Sequence, residues 1–164
     1  TARNAGLTDK EALKACSKLS RDNARTPVQW NDQENAGFTA GTPWLKVNDN
    51  YKEINMADQD QDPDSILNYY RRLIALRNSP TYKEVFTYGK FLPAYQYTED
   101  VMAYYRKDEH TRILVAANFG KESVELPLDY PVKQVLLSNQ HKQHNYNTKS
   151  HLSLESCEVI VFEL

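Results

Sequence analysis

Apolar and polar positions follow a helical period in a first segment, from residue 8 to about residue 21. Thr8 and Glu11 stand three residues apart, as the two members of a capping box do at the start of a helix. The apolar positions that recur at this period are Ala12, Cys16 and Leu19. The pattern predicts an amphipathic helix.

A second helix is predicted over residues 62–78. Asp62 would cap it, Pro63 would take its first helical position, and Asp64 would lie at the positive end of the helix dipole. Pro80 would end it. Its apolar stripe is wide enough to require a sheet or a barrel as cover. The stripe consists of Ile66, Tyr70, Leu73 and Ile74, widened by Leu67 and Leu76.

Residues 22–61, between the two predicted helices, have little period and contain Pro27, Gly37, Gly41 and Pro43. An irregular segment this long in a compact chain is usually functional or a linker. Its aromatic residues make it too apolar for a linker, so we expect it to pack against another part of the protein. Within it, a turn is predicted with Gly37 or Asn35 at positive φ.

After Pro80 the pattern changes to short runs rich in β-branched and aromatic residues, separated by polar breakers. Several short strands without intervening helices indicate an antiparallel sheet, most simply a small β-sandwich. The predicted fold is therefore mainly β, with helices and a long loop over residues 1–80 and a sandwich over residues 81–164. The runs are residues 85–91, 101–106, 112–119, 123–126, 132–137 and 157–164.

Composition narrows the function classes. The chain is 40% hydrophobic, which supports a core, and its formal net charge is −2 without a dense Lys/Arg block. We therefore expect no nucleic-acid partner and no membrane partner. No apolar run reaches the roughly 20 residues that span a bilayer.

Cys16 and Cys157 are the two cysteines, and the glycosylation pattern Asn-x-Ser/Thr does not occur, which favours a cytoplasmic location. The first residues lack an initiator Met and an apolar signal core, which predicts an internal start.

Two patterns that resemble metal sites do not fit one. The acidic run at residues 58–64 has Pro63 and Tyr69 where an EF-hand needs Gly and Glu. His141 and His144 stand three residues apart in a polar stretch without Cys or carboxylate neighbours, which is typical of a solvated loop. We expect no metal and no cofactor.

The most specific string is RDNARTPVQW at residues 21–30, followed by NAGFT at 35–39, TPW at 42–44 and NYKEIN at 50–55. These blocks strongly resemble glycoside hydrolase family 13 of the α-amylase superfamily. The resemblance is to its oligo-1,6-glucosidase, dextran glucosidase and trehalose-6-phosphate hydrolase branch. Val28 stands where Met is common in that branch.

The resemblance implies where the chain lies in a larger enzyme. In this branch the string belongs to the long loop after the eighth strand of a (β/α)₈ barrel, and an antiparallel sandwich called domain C follows the last barrel helix. Residues 1–80 would then end the catalytic barrel, and residues 81–164 would be domain C. The parent would be a retaining, exo-acting α-glucosidase acting on α-glucoside oligosaccharides. Its catalytic carboxylates would precede Thr1, so this fragment alone would be inactive.

Arg25 is the candidate substrate-binding residue, with Arg21 as the alternative. Barrel enzymes gather their sites at the carboxyl ends of the strands, so the eighth loop can reach substrate. A guanidinium suits bidentate binding of a carboxylate or of adjacent sugar hydroxyls. The resemblance implies that an arginine of this motif pairs with an Asp of the barrel and holds the non-reducing glucose. We assign this role to Arg25 because the Thr-Pro pair after it fixes a sharp local geometry. The other interpretation is an arginine that ties the loop down through Asp22 or Asp32.

Structural roles are expected for the other candidate side chains. Trp30, Phe38 and Trp44 could stack on sugars, but aromatic residues of such a loop more often form its packing core. Asp22 and Glu53 are not assigned as acid or base, because retaining glycosidases need two carboxyls about 5 Å apart and no catalytic motif of the family occurs here. The tyrosines of the β region are interpreted as core and cross-strand pairs rather than a sugar-binding face; they are Tyr88, Tyr95, Tyr97, Tyr104 and Tyr105.

Two alternatives from other classes stay open. A free-standing carbohydrate-binding module would carry an exposed aromatic strip on the sandwich, and a purely structural or interaction domain would carry no site. Without a barrel, the helix stripe would lie in water, which is unfavourable by about 25 cal/mol per Å². We therefore expect residues 64–78 to lie on domain C. The remaining apolar surface would be covered by a second copy, through self-association of the fragment, or by another part of the parent enzyme.

Overall fold

The computed structural model describes residues 6–19, 21–140 and 150–164. The chain divides into two compact units, Thr1–Pro63 and Asp64–Leu164. The second predicted helix thus belongs to the same unit as the strands, whereas the sequence pattern divides the chain at residue 80. In the described part of the chain, every helix is too short or too polar to cross a membrane.

The first unit begins with α1, Asp9–Leu19, which confirms the predicted helix. Its capping box is formed: the Thr8 N–H donates to Glu11 Oε2 at 2.9 Å, and the Glu11 N–H donates to Thr8 Oγ1 at 3.4 Å. These bonds lower the pKa of Glu11. Three 3₁₀ turns follow, at Asp22–Ala24, Glu34–Gly37 and Asp49–Lys52, and then the short helix α2, Met56–Gln61.

Helix α3, Ile66–Asn78, begins later than predicted. Its cap is Ser65, whose Oγ accepts the Asn68 N–H at 3.1 Å. The assignment of the cap to Asp62 is wrong, because that residue instead ends α2, a helix that the sequence pattern did not predict. The end of the helix at Asn78, before Pro80, is confirmed.

Helix α4, Lys83–Tyr88, lies where the first strand is predicted, so the prediction of a strand over residues 85–91 is wrong. Tyr82, Val85 and Phe86 pack into one core cluster at helical spacing. These are good strand formers, but their packing decides the local structure. The chain becomes extended only at Lys90.

Within the described residues, seven antiparallel strands follow in two sheets. The larger sheet has the order β1-β2-β3-β7-β5 and the smaller pairs β4 with β6, which confirms a mainly antiparallel β fold. The strands predicted after residue 100 are confirmed within a few residues, whereas β6 was not predicted. The bounds are β1 Lys90–Ala94, β2 Val101–Lys107, β3 Arg112–Asn118, β4 Val124–Pro127, β5 Gln134–Ser138, β6 His151–Leu154 and β7 Val159–Glu163.

The large sheet buries both of its faces, which explains the nearly continuous apolar runs of β3 and β7. One face packs against β4 and β6 and forms the sandwich core. The other face packs against α3 and α4. Each fully buried large side chain contributes about 1.5–3 kcal/mol. The sandwich core contains Leu114, Ala116, Leu126, Leu152, Leu154, Ile160 and Phe162, and the helix-facing core contains Tyr82, Val85, Ile113, Leu137 and Val161.

Helix α3 has two apolar faces. Tyr69, Leu73 and Leu76 pack against the helix-facing core, which confirms that this helix lies on the sheet unit. Leu73 therefore does not belong to the outward stripe assigned to it from the sequence. The other members of that stripe remain in water; they are Ile66, which is 73% exposed, Tyr70 and Ile74.

Asn118, at the end of β3, joins the two sheets. Its side chain is 2% exposed. Its Nδ2 donates to three backbone carbonyls, those of Glu122 at 2.8 Å, Leu154 at 3.2 Å and Glu155 at 3.0 Å. Its Oδ1 accepts the Gly120 N–H at 2.8 Å. One buried amide, with two N–H donors and one acceptor oxygen, thus contacts four backbone groups.

A second polar cluster fastens α4 to the last strand. The Tyr82 hydroxyl donates to Glu163 Oε2 at 2.7 Å, and Gln134 Nε2 donates to the same carboxylate oxygen at 2.8 Å. Two causes raise the pKa of Tyr82 to about 12: burial, which is the larger, and the hydrogen bond to Glu163. Hydrogen bonds from Gln134 and Tyr82 lower the pKa of Glu163.

Candidate substrate-binding loop

Residues 26–30 and 54–57 lie side by side, although more than 20 residues separate them in sequence. The carbonyl of Gln29 accepts the Met56 N–H at 2.8 Å, and the carbonyl of Trp30 accepts the Ala57 N–H at 3.0 Å. The Gln29 side-chain amide donates to the carbonyl of Ile54. The first and last blocks of the motif therefore form the base of one closed loop.

Two asparagines hold this loop base together. Asn55 is buried; its Oδ1 accepts the Asp58 N–H at 3.0 Å and caps α2, while its Nδ2 donates to the Tyr51 carbonyl at 3.1 Å. Asn48 Nδ2 lies 3.4 Å from Thr26 Oγ1. Sequence reasoning did not assign either role. The signal available for Asn55 was its position three residues before Asp58, which is a helix-capping pattern.

The turn at the loop's far side has three consecutive residues in the left-handed region: Asn35 at φ 52°, Ala36 at 57° and Gly37 at 65°. The predicted positive φ is thus confirmed for both candidates, and the buried Ala36 adopts it as well, at a cost of about 1–3 kcal/mol. The Ala36 carbonyl accepts the N–H groups of Trp30 at 2.9 Å and Asn31 at 3.2 Å. These bonds hold the turn against the end of the RDNARTPVQW block.

Arg21 and Arg25 flank the 3₁₀ turn Asp22–Ala24. The Arg21 carbonyl accepts the Ala24 N–H at 3.1 Å, and the Arg25 N–H donates to the Asp22 carbonyl at 3.0 Å. Both arginines are exposed. Among the residues that the structure describes, neither guanidinium is held by a hydrogen bond or an ion pair. Backbone hydrogen bonds thus fix the main-chain positions of both arginines, while both guanidinium groups stay available to bind a ligand.

The aromatic residues of the loop do not form its packing core, contrary to expectation. Trp44 is 74% exposed, and Trp30 and Phe38 are also exposed. The physical reason is that backbone and amide hydrogen bonds hold the loop, so its aromatic rings are free to face outward. Val28 and Ile54 add to this surface. The first unit thus presents apolar side chains to water.

No metal centre is found in the described ranges, where no group of three His, Cys, Asp or Glu side chains is suited to hold an ion. The pair His141 and His144 lies outside the described residues. Cys16 and Cys157 are both free thiols and both exposed.

The loop and the helices after it match a known domain. A family model of the alpha amylase catalytic domain matches residues 1–89, more than half of the chain. The chain belongs to the α-amylase family. A second model, the alpha-amylase SusG C-terminal domain, matches residues 101–161, which include β2 to β6 and the start of β7. The resemblance seen in the motif is confirmed, and a free-standing carbohydrate-binding module is not favoured.

Relatives of this α-amylase-family chain include glycoside hydrolases. It is 44% identical over 133 residues to an oligo-1,6-glucosidase of Heyndrickxia coagulans, a match that covers 81% of this chain and 23% of that protein. Its structure is similar to a trehalose-6-phosphate hydrolase of Bacillus licheniformis, with a TM-score of 0.86, 36% identity, and coverage of 99% and 29% of the two chains. It is also similar to an isomaltulose synthase of Klebsiella sp. LX3, with a TM-score of 0.87, 34% identity, and coverage of 99% and 29%. The chain spans about a quarter of the length of these relatives.

Proposed function

We propose that the chain is the C-terminal portion of a retaining, exo-acting α-glucosidase. Its substrates would be short oligosaccharides with terminal α-glucosidic bonds, the α-1,6 bond above all. The observation that carries the proposal is the match of residues 1–89 to the amylase catalytic domain, together with 44% identity to an oligo-1,6-glucosidase. In this arrangement residues 1–80 end the catalytic barrel, and residues 81–164 are its C-terminal sandwich.

Arg25 is the residue of this chain that we propose to contact substrate. Thr26, the next residue, is tied to Asn48 in the hydrogen-bonded loop base, so the Arg25 side chain starts from a fixed point. Its guanidinium has no partner among the described residues and is exposed. A barrel carboxylate beside it would leave donors for two adjacent hydroxyls of the non-reducing glucose. Arg21, at the other end of the same 3₁₀ turn, is the second candidate.

The exposed apolar surfaces of both units support the proposal that a catalytic barrel packs on this chain in the parent enzyme. The outward face of α3 and the aromatic rings of the loop are exposed, and patches of this kind are usually interaction surfaces. We propose that the barrel covers both in the parent enzyme. Alone, the fragment would self-associate through the α3 face. Two free thiols and the lack of Asn-x-Ser/Thr support a cytoplasmic location for the parent.

The chemistry itself requires two carboxyl groups about 5 Å apart on either side of the scissile bond, the arrangement that gives retention through a covalent glucosyl-enzyme. We place both on barrel strands outside residues 1–164. This chain would supply a substrate arginine, the last barrel helix and a supporting sandwich, and it would not turn over substrate alone.

The test compares the full-length protein that contains this chain with residues 1–164 alone. Both are given isomaltose, maltose, trehalose 6-phosphate and an aryl α-glucoside, and the anomer released first is read by proton NMR. We expect the full-length protein to release α-glucose from chain ends, fastest from isomaltose, and the fragment to release none. Release of β-glucose, internal cleavage, or turnover by the fragment would contradict the proposal.

A further inference from the structure

A cavity of about 240 Å³ lies beside the carboxyl end of α4, on the helix-facing side of the large sheet. It exists because α3 and α4 cover the middle of that face but not its edge at β1, where Phe91 remains 53% exposed. No motif of the sequence pointed to it. Its lining consists of Arg77, Phe86, Thr87, Phe91, Tyr104 and Arg106.

Two arginines in this cavity are held by neutral groups. Arg106 Nη2 donates to the carbonyls of Phe86 at 3.0 Å and Thr87 at 3.3 Å, and Arg77 Nη1 donates to the same Phe86 carbonyl at 3.4 Å. Carbonyls at the end of a helix orient the guanidiniums without neutralising their charge. The cavity lining contains no carboxylate, and neither arginine forms an ion pair within the described residues. Since a guanidinium has five N–H donors, both retain unused ones.

An aromatic wall stands next to these charges. The rings of Phe91 and Tyr104 lie 4.8 Å apart, tilted by 32°. Phe91 is directly opposite Arg106 in the register of β1 and β2, so the exposed ring and the guanidinium are cross-strand neighbours on one face. Thr87 completes the lining. The cavity therefore combines two positive groups with a flat apolar surface.

We propose that this cavity binds a monosaccharide phosphate. The phosphate would take the free N–H groups of Arg77 and Arg106, because planar guanidiniums bind phosphate oxygens in a bidentate manner. The pyranose ring would lie with its C–H face on Phe91. The volume lies below the roughly 300–1,000 Å³ of pockets for drug-sized ligands, so it suits a monosaccharide phosphate better than a dinucleotide. The site needs neither a barrel nor Arg25, so it stands apart from the proposed glucosidase activity.

The test is isothermal titration calorimetry of residues 1–164 with glucose 6-phosphate, inorganic phosphate and glucose as separate probes. We expect glucose 6-phosphate to bind more tightly than inorganic phosphate, and glucose not to bind measurably. Arg77→Gln should weaken glucose 6-phosphate binding by about tenfold or more, because a hydrogen bond between charged groups is lost. Phe91→Ala should weaken glucose 6-phosphate but leave phosphate unchanged. Lys83→Gln, which removes one charge from α4 outside the cavity, is the matched control and should change neither.

Circular dichroism spectra of each variant establish that a loss of binding is not a loss of fold. Arg77 is chosen over Arg106 because its one hydrogen bond within the cavity lining is long, so its replacement disturbs α4 least. The proposal is overturned if glucose 6-phosphate does not bind the wild-type chain. It is equally overturned if a folded Arg77→Gln variant binds as well as the wild type. Equal affinity for glucose 6-phosphate and inorganic phosphate would reduce the cavity to a bare anion site and refute the sugar assignment.

Discussion

Replacing Asn118 by alanine should destabilise the sheet unit more than any surface change, because one side chain serves four backbone groups. Two of them, the Leu154 carbonyl and the Gly120 N–H, are bonded in buried surroundings. A buried group left without a partner costs about 1–3 kcal/mol, whereas the two half-buried carbonyls can regain water. We therefore expect a loss of about 3 kcal/mol in the free energy of unfolding, with about 2–6 kcal/mol as the range for two such groups.

Urea unfolding followed by circular dichroism in the strand band measures this loss. Both tryptophans, Trp30 and Trp44, lie in the first unit, so their fluorescence reports separately on the loop and should not shift. A loss of about 3 kcal/mol moves the urea midpoint down by about 1–3 M, given typical slopes of about 1–3 kcal/mol per M. Asn139→Ala is the matched control. That exposed amide also bonds two backbone groups, the Cys157 carbonyl and the Val159 N–H, and its loss should cost about 1 kcal/mol or less.

Asn118→Asp separates the donor from the acceptor. The substitution keeps an oxygen for the Gly120 N–H but turns a carboxylate oxygen toward three carbonyl oxygens, so it should be at least as damaging as alanine at pH 7. Burial and these carbonyls would raise the pKa of the introduced carboxyl in the folded state. The part of its deficit that depends on charge should therefore disappear below its unfolded pKa of about 3.9 and appear as the pH rises through the folded value. An alanine variant within 1 kcal/mol of the wild type, or an aspartate variant of wild-type stability at pH 7, would refute this reasoning.

Tyr82→Phe should cost about 1 kcal/mol at pH 7, measured by urea unfolding. Because the hydroxyl helps to lower the pKa of Glu163, the difference from the wild type should be full above about pH 4.3 and shrink as the pH falls through the folded value; a pH-independent difference would contradict this. In the full-length protein, Arg25→Ala should reduce kcat/KM by about tenfold to a hundredfold, since charged hydrogen bonds contribute about 1.5–3 kcal/mol. Arg21→Ala should be milder, and the reverse order in equally stable variants would exchange the two roles. Limited proteolysis of residues 1–164 should cut within residues 22–61 first; earlier digestion of the sheet would show that it is not an autonomous folding unit.

The strands could be predicted where sequence pattern and packing agree. β3 and β7 are nearly continuous apolar runs because both faces of their sheet are buried, and the pattern shows this directly. Helix α4 could not be predicted, since Val85 and Phe86 favour strands and only their packing beside Ile113 makes them helical. Strand β6 was not predicted; its pairing partner β4 lies more than 20 residues earlier, so nothing local to β6 marks it as part of a sheet.

The candidate loop was identifiable from its string of residues, but its internal geometry was not. The sequence pointed to Asn35 or Gly37 for a positive φ, yet Ala36 between them adopts one too, because its carbonyl accepts two N–H groups from the other side of the loop. The cavity at β1 lay outside the reach of sequence patterns. Arg77 and Arg106 are far apart in the chain, and only the pairing of β1 with β2 and the position of α4 bring them together.

The strand order also fixes when the sheet can close during synthesis. β7 lies between β3 and β5, so this interior position of the sheet is filled only after the other four strands have been made. About 40 residues separate the end of β3 from Val159, and at about 5–20 residues per second a ribosome needs roughly 2–8 seconds to make them. During that interval the backbone N–H and C=O groups along one edge of β3, which includes Ile113 and Leu114, have no neighbouring strand. Such an edge is a template for pairing with other chains. A nascent chain stalled before residue 159 should therefore aggregate or require a chaperone.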